Sequence, residues 1–178
     1  MFNIQKRLKG IDENRSYVQT RIAVRDKLLS QEFREVEDAV KSLSSCKLKL
    51  PTNQMHQMLL TVSPQNGMYR NGTFQFSIDV PPEYNNAPPV VKCLTRVWHP
   101  NINEDGAVCL SLLRASSLDG MGWMPTRGIK DVILGLNDLF GDLIDFDDPL
   151  NQQASDMYAN NKDQFASRVR EYIHRYCK

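Results

Sequence analysis

The sequence predicts an α+β domain, and three observations lead there. A long amphipathic helical stretch precedes four consecutive β-type runs with no helix between them. A long irregular segment follows the last of these runs. Helical periodicity then returns three times before the chain ends. The 178 residues suffice for one well-buried core and are few for two, so a single domain with a tail is expected.

The first helix is read over residues 22–43, where Leu28, Leu29, Phe33, Val36 and Val40 recur at three- and four-residue steps. Residues 1–20 are expected to be a flexible extension of a domain spanning residues 21–178, because termini are usually loose unless tied down. Within that extension Ile4 and Leu8 would share one helical face among Lys6, Arg7 and Lys9, which also suits a peptide that docks in a partner's groove. Strands are read over residues 47–50, 57–62, 73–80 and 90–95. Turn residues at 64–67 (Pro-Gln-Asn-Gly) and 70–72 (Arg-Asn-Gly) separate the second from the third, which predicts an antiparallel meander. The third run alternates cleanly, with Phe74, Phe76, Ile78 and Val80 on one face. Residues 81–89 hold four prolines and cannot continue a strand. The irregular stretch 98–127 is of the kind that often carries function. A helix follows over 129–143, started at Thr126 or Gly128. Pro149 can open another at its first turn, and a last helix covers 162–176.

Composition narrows the function classes. Hydrophobic residues make up 41% and charged residues 24%, as in an ordinary globular domain. A formal charge of +1 argues against a general nucleic-acid binder. No apolar run approaches the roughly 20 residues of a membrane span. The first residues lack the apolar core of a secretory signal, so a cytoplasmic and nuclear protein is expected. Cys46, Cys93, Cys109 and Cys177 are widely spaced with no C-x-x-C pair. With His56, His99 and His174 equally scattered, neither disulfides nor a metal site is expected.

One constellation carries chemistry. His99-Pro100-Asn101 is followed eight residues later by Cys109, inside Gly106-Ala107-Val108-Cys109-Leu110. Trp123-Met124-Pro125 and Asp148-Pro149-Leu150 come next. In this order the sequence resembles the ubiquitin-conjugating enzyme family over about residues 22–176, and Tyr84 with Pro88-Pro89 matches that family's proline-rich segment. The resemblance implies the ubiquitin-conjugating fold and acyl transfer in two steps. A modifier passes from an activating enzyme onto Cys109 as a thioester, then to a substrate lysine. Sulfur suits this task, because a thiolate is a good nucleophile and a thioester stays reactive toward amines. By resemblance, Asn101 supports the oxyanion or holds the loop that does, and Asp148 orients the incoming lysine. His99 is read as a structural residue bonding local backbone. Trp98 and Trp123 are read as packing anchors, and Cys46, Cys93 and Cys177 as non-catalytic. No cofactor is implied; ATP is used by the upstream activating enzyme.

Further features resemble the neddylation-type conjugating enzymes, and specifically their F-type branch. Asn151 with Ala154 after the Asp-Pro-Leu is similar to an Asn-x-x-Ala of that type. The opening Met1-Phe2-Asn3-Ile4 resembles a peptide that docks on the dedicated activating enzyme and, through an acetylated methionine, on a co-ligase. The insertion at residues 116–122 resembles the F-type branch. The implied partners are the neddylation modifier, its activating enzyme, a RING-type ligase and a cullin substrate, with the enzyme itself a monomer. Departures are visible as well. Asn85 replaces a frequent proline, and Asn86 stands where many ubiquitin carriers present a hydrophobic ligase contact, so Pro125 and Thr126 are the surer part of that surface. Ser111 replaces a common aspartate, which shifts the acidic role toward Asp148. The rival readings are a ubiquitin-charging enzyme and a non-catalytic modifier-binding variant; the presence of Cys109 argues against the second.

Overall fold

The computed structural model describes residues 2–115 and 120–177, and of residues 2–6 and 8 the backbone alone. In chain order the elements are α1 (Phe2–Ser42), β1 (Cys46–Lys49), β2 (Gln57–Val62), β3 (Phe74–Asp79) and β4 (Val90–Cys93). A 3₁₀ turn (Ser111–Leu113), α2 (Ile129–Asp138), α3 (Gln152–Asn160) and α4 (Lys162–Tyr176) complete the chain. The sheet runs β1-β2-β3-β4, every pair antiparallel, so the meander expected from the turn residues is the one observed.

Helix α1 corrects one expectation. Periodicity placed its start near Ile22, whereas the helix runs from Phe2. The two halves are held by different means. Before Arg21 the side chains that are described are exposed, including Ile11 and Tyr17, so no buried stripe runs through them. It has no proline and a single glycine, Gly10, and it propagates from a turn already anchored, which avoids the nucleation cost. From Arg21 onward the helix is tied down. Arg21 Nη2 donates to Tyr84 O at 2.7 Å, and buried Arg25 donates to Val80 O at 3.2 Å. Leu29 and Val36 enter the core.

The core lies between the inner face of the sheet and the helices. Met58, Leu60 and Val62 of β2 pair in register with Ile78, Phe76 and Phe74 of β3, and all six are buried. Ile129, Val132, Ile133 and Leu136 of α2 meet them from the helical side. The N-terminus of α2 is completed from α1, because Glu32 Oε2 accepts the Ile129 N–H at 3.1 Å and also the buried Tyr84 hydroxyl at 2.8 Å. A carboxylate there satisfies an orphan donor and lies at the favourable end of the helix dipole. Gly128 is the N-cap, its N–H donating to Asp131 Oδ2 at 2.8 Å.

Helix α2 ends at Asp138, short of the 143 expected. Spacing alone did not show that Phe140 leaves the helical path to stack on Phe74 (centroids 4.3 Å, planes 15° apart), with Tyr69 and His99 edge-on to it. Helix α3 also starts later than Pro149. Asn151 caps it, accepting from Ala154 N at 3.1 Å, and Gln152 is its first residue.

Candidate active site

Cys109 is presented by a tight turn whose residues are fixed one by one. Asn103 Oδ1 accepts the N–H groups of Asp105 and Ala107 at 3.0 and 2.9 Å, folding the chain back. Gly106 has φ +84°, and a Cβ there would collide with the carbonyl of Cys93, so the glycine of Gly-x-x-Cys is demanded twice over. Its closeness is used: Cys93 N donates to Gly106 O at 2.8 Å, stitching the turn to the end of β4. The chain then runs antiparallel to 99–102, and Cys109 N donates to Asn101 O at 2.8 Å. Leu110 and Leu112, just after it, are buried against α2 at Gly135, where a Cβ would lie 2.9 and 2.8 Å from their methyls. Cys109 is thereby left half-buried at the rim.

The opposite wall is the segment between α2 and α3, clamped by Asn101. The Asn101 side chain is 1% exposed, and both its polar atoms engage one backbone unit. Nδ2 donates to Asp145 O at 2.7 Å and Oδ1 accepts Asp145 N–H at 2.9 Å. Asp145 Oδ1 in turn accepts the N–H groups of Asp147 and Asp148 at 2.9 and 3.2 Å. Phe146 stacks on Tyr158 at 3.9 Å, Ser155 Oγ donates to Phe146 O at 2.6 Å, and Asn151 N donates to Pro100 O at 2.9 Å. A loop without regular structure is thus held from both sides. Between it and Cys109 lies a cleft of about 540 Å³, with Arg114, Asp145 and exposed Met121 and Leu143 on its walls. Asp148 extends its carboxylate into solvent, 76% exposed, with Arg114 Nη2 at 3.2 Å. The same Nη2 lies 3.7 Å from Cys109 Sγ.

His99 takes no part in the cleft. It is fully buried, Nδ1 accepts the Asn101 N–H at 2.9 Å, and Nε2 lies 2.7 Å from Leu139 O. An acceptor role for Nδ1 requires the proton on Nε2, so the ring is neutral and donates to Leu139. Burial lowers its pKa from 6.5 to about 4. The unfolded chain therefore binds a proton below pH 6.5 that the folded chain refuses until about pH 4. Stability is expected to fall by roughly 3 kcal/mol from this group as pH drops through that window. Imidazole NMR should find His99 neutral and protonated on Nε2 at pH 5; a charged ring at pH 6 would contradict the assignment.

The other thiols sit differently. Burial pushes the Cys93 thiol up to about 12, and it raises Cys46 and Cys177 as well. Cys93 Sγ also lies 3.1 Å from Thr95 O, turned away from the cleft. The residues expected on a ligase surface gather on another side. Asn86, Pro125 and Thr126 are all exposed, and their loops are joined: Asn85 Nδ2 donates to Pro125 O and the buried Trp123 Nε1 to Asn85 O, each at 2.8 Å. Of the tail, Met1 and the side chains of Phe2 and Ile4 lie outside the described residues, as do insertion residues 116–119. Two residues had no role in the sequence reading. Asp145 fixes the Asp148 backbone, and Arg114 spans thiol and carboxylate. Neither stands out in a single sequence, since an acidic run and an arginine after a Ser-Leu-Leu are common surface patterns.

A four-stranded meander flanked by helices, with a half-buried cysteine facing a clamped acidic loop, defines a class of modifier-conjugating enzymes. The comparisons agree: the chain belongs to the ubiquitin-conjugating enzyme family, whose model matches residues 28–173, and it is a conjugating transferase. It is 58% identical over 180 residues to the NEDD8-conjugating enzyme ubc-12 of Caenorhabditis elegans, covering 99% of this chain and 100% of that protein. It is 52% and 51% identical over 159 residues to the NEDD8-conjugating enzymes UBE2F of Gallus gallus and Homo sapiens, covering 89% of this chain and 85% of each. Among solved structures, the E2 domain of a Toxoplasma gondii ubiquitin-conjugating enzyme superposes with a TM-score of 0.70 at 24% identity. That match covers 84% of this chain and 98% of that one, and shows the fold.

Proposed function

We propose that this chain conjugates NEDD8: it accepts the modifier from an activating enzyme as a thioester on Cys109 and passes it to a substrate lysine. The observation that carries the reading is the cleft itself, where the one half-open thiol on its wall faces a carboxylate-bearing loop held rigid by Asn101. The choice of modifier rests on the near full-length identity to NEDD8-conjugating relatives.

Charging is exchange between thioesters. The Cys109 thiolate attacks the acyl carbon held by the activating enzyme, and that enzyme's sulfur leaves as thiolate. No histidine base is required, because the incoming acyl group is already activated; ATP is consumed upstream. Discharge needs an uncharged lysine near the thioester, and Asp148, exposed beside the thiol, orients that amine and takes its proton. Asn101 acts as the clamp for this loop. The substrates we assign are cullins, reached through a RING-type ligase that seats on Asn86, Pro125 and Thr126. The segment of residues 1–20, with Met1, Phe2 and Ile4, serves as the docking element for the activating enzyme or a co-ligase. The enzyme acts as a monomer, and its free thiols suit the cytosol and nucleus.

The test is charging with ATP, either modifier and its own activating enzyme, read on non-reducing gels. A thiol-sensitive adduct with NEDD8 and little with ubiquitin is expected. Preference for ubiquitin would overturn the choice of modifier, and no adduct with either, using active activating enzymes, would overturn the enzyme reading. Deleting residues 1–9 should slow charging severalfold; an unchanged rate would remove the docking role of the tail.

A further inference from the structure

We propose that Arg114 is the residue that stabilises the oxyanion during discharge of Cys109, an assignment that rests on the thioester function above. Asn101 is already fully engaged. Its acceptor and donor atoms are both committed to the Asp145 backbone, and the side chain is buried beneath the loop it holds. Turning the amide toward the thioester would leave a buried N–H and C=O unpaired, which is costly. Some other group must meet the negative charge.

Arg114 is placed for it. Its Nη2 lies 3.7 Å from Cys109 Sγ, on the cleft side, within a shared wall. The carbonyl oxygen of an acyl group on Sγ is two bonds from the sulfur, so an acyl group turned toward Arg114 would bring that oxygen within hydrogen-bond reach of the guanidinium, as an oxyanion donor requires. Its main chain is pinned on both sides, Arg114 N donating to Ser111 O at 3.1 Å and Trp123 N to Arg114 O at 2.8 Å. The head group is steadied by Asp148 at 3.2 Å. The donor is therefore set in place before reaction, which lowers the reorganisation the transition state requires.

The lysine nitrogen bonds to the acyl carbon while the carbonyl electron pair moves to oxygen, where the guanidinium donates a hydrogen bond without transferring its proton. Collapse restores the carbonyl, breaks the carbon–sulfur bond and returns the pair to Cys109 as thiolate. The proton of the new ammonium passes to the Asp148 carboxylate and on to solvent. One guanidinium thus faces both places where negative charge appears, the oxygen and then the sulfur.

The experiment uses the full chain loaded with NEDD8, then chased in single turnover with free lysine or with hydroxylamine. Hydroxylamine is already uncharged at neutral pH and needs no carboxylate to deprotonate it. Arg114→Gln should slow discharge to both nucleophiles by roughly 10- to 100-fold, less than the largest oxyanion-donor losses because the site is half open. Arg114→Lys should recover part of the rate, keeping charge without the forked geometry. Asp148→Asn should slow lysine far more than hydroxylamine. Melting temperatures check that each variant is folded, as expected for a side chain 43% exposed. The assignment is overturned if Arg114→Gln discharges at the wild-type rate. It is equally overturned if that variant slows lysine alone, to the extent of Asp148→Asn and without adding to it, since Arg114 would then act only by positioning Asp148. Failure of the wild-type chain to charge would instead bring down the function it rests on.

Discussion

A Cys109→Ser chain is expected to capture NEDD8 as an oxygen ester that survives thiol treatment and to pass it on to lysine at least about 10³-fold more slowly than the wild type. The magnitude follows from the leaving group: expelling an alkoxide instead of a thiolate raises the barrier by several kcal/mol, and each 1.36 kcal/mol is about tenfold in rate. The substitution removes no core contact, because Cys109 sits at the rim while Leu110 and Leu112 carry the packing onto α2. Its melting temperature should therefore stay within a degree or two of the parent. The matched control is Cys93→Ser. That thiol is buried beside Thr95 O, so its replacement should alter stability and leave a thiol-sensitive adduct. A discharge rate for Cys109→Ser equal to the wild type would rule out the sulfur as carrier.

The second large effect is expected at Asn101. Asn101→Ala removes two hydrogen bonds at once and leaves the Asp145 N–H and C=O without their partner. The stability cost should be about 1–3 kcal/mol, readable as a lower urea midpoint. The cost in rate should be greater. Asp148 is held through Asp145, so releasing the clamp moves the carboxylate relative to the thioester, and a displacement near 1 Å costs on the order of 10²-fold. Charging does not use Asp148 and should be much less affected than discharge. Equal slowing of the two steps would show that Asn101 acts on the thiol side instead. With Arg114 supplying the oxyanion donor, Asn101→Asp should be nearly as damaging as Asn101→Ala, since a carboxylate cannot donate to Asp145 O.

Much of the fold is legible because it is written in local periodicity. Alternation in 73–80 predicted the buried face of β3, and the three-and-four spacing around Leu29 and Val36 predicted the anchored half of α1. The first half of α1 escaped because no buried face marks it among its described side chains. The end of α2 escaped because Phe140 answers to Phe74 and Tyr69, residues from another part of the chain. In the site, Gly106 and Cys109 are visible in sequence through the motif they share with the family, while the contact of Gly106 with the Cys93 carbonyl that demands the glycine comes from β4.

The sequence by itself determines the order of elements and the faces they bury, because each depends on residues a few positions apart. Tertiary structure decides how the site is wired. Arg114 meets Asp148 across 34 residues, Asn101 meets Asp145 across 44, and the His99 proton is assigned by Leu139 at a separation of 40. These bonds form only when packing brings two distant segments within hydrogen-bonding distance of each other. No spacing rule states which donor will find which acceptor once the chain has closed, and for that reason the division of labour between Asn101 and Arg114 emerges from the fold alone.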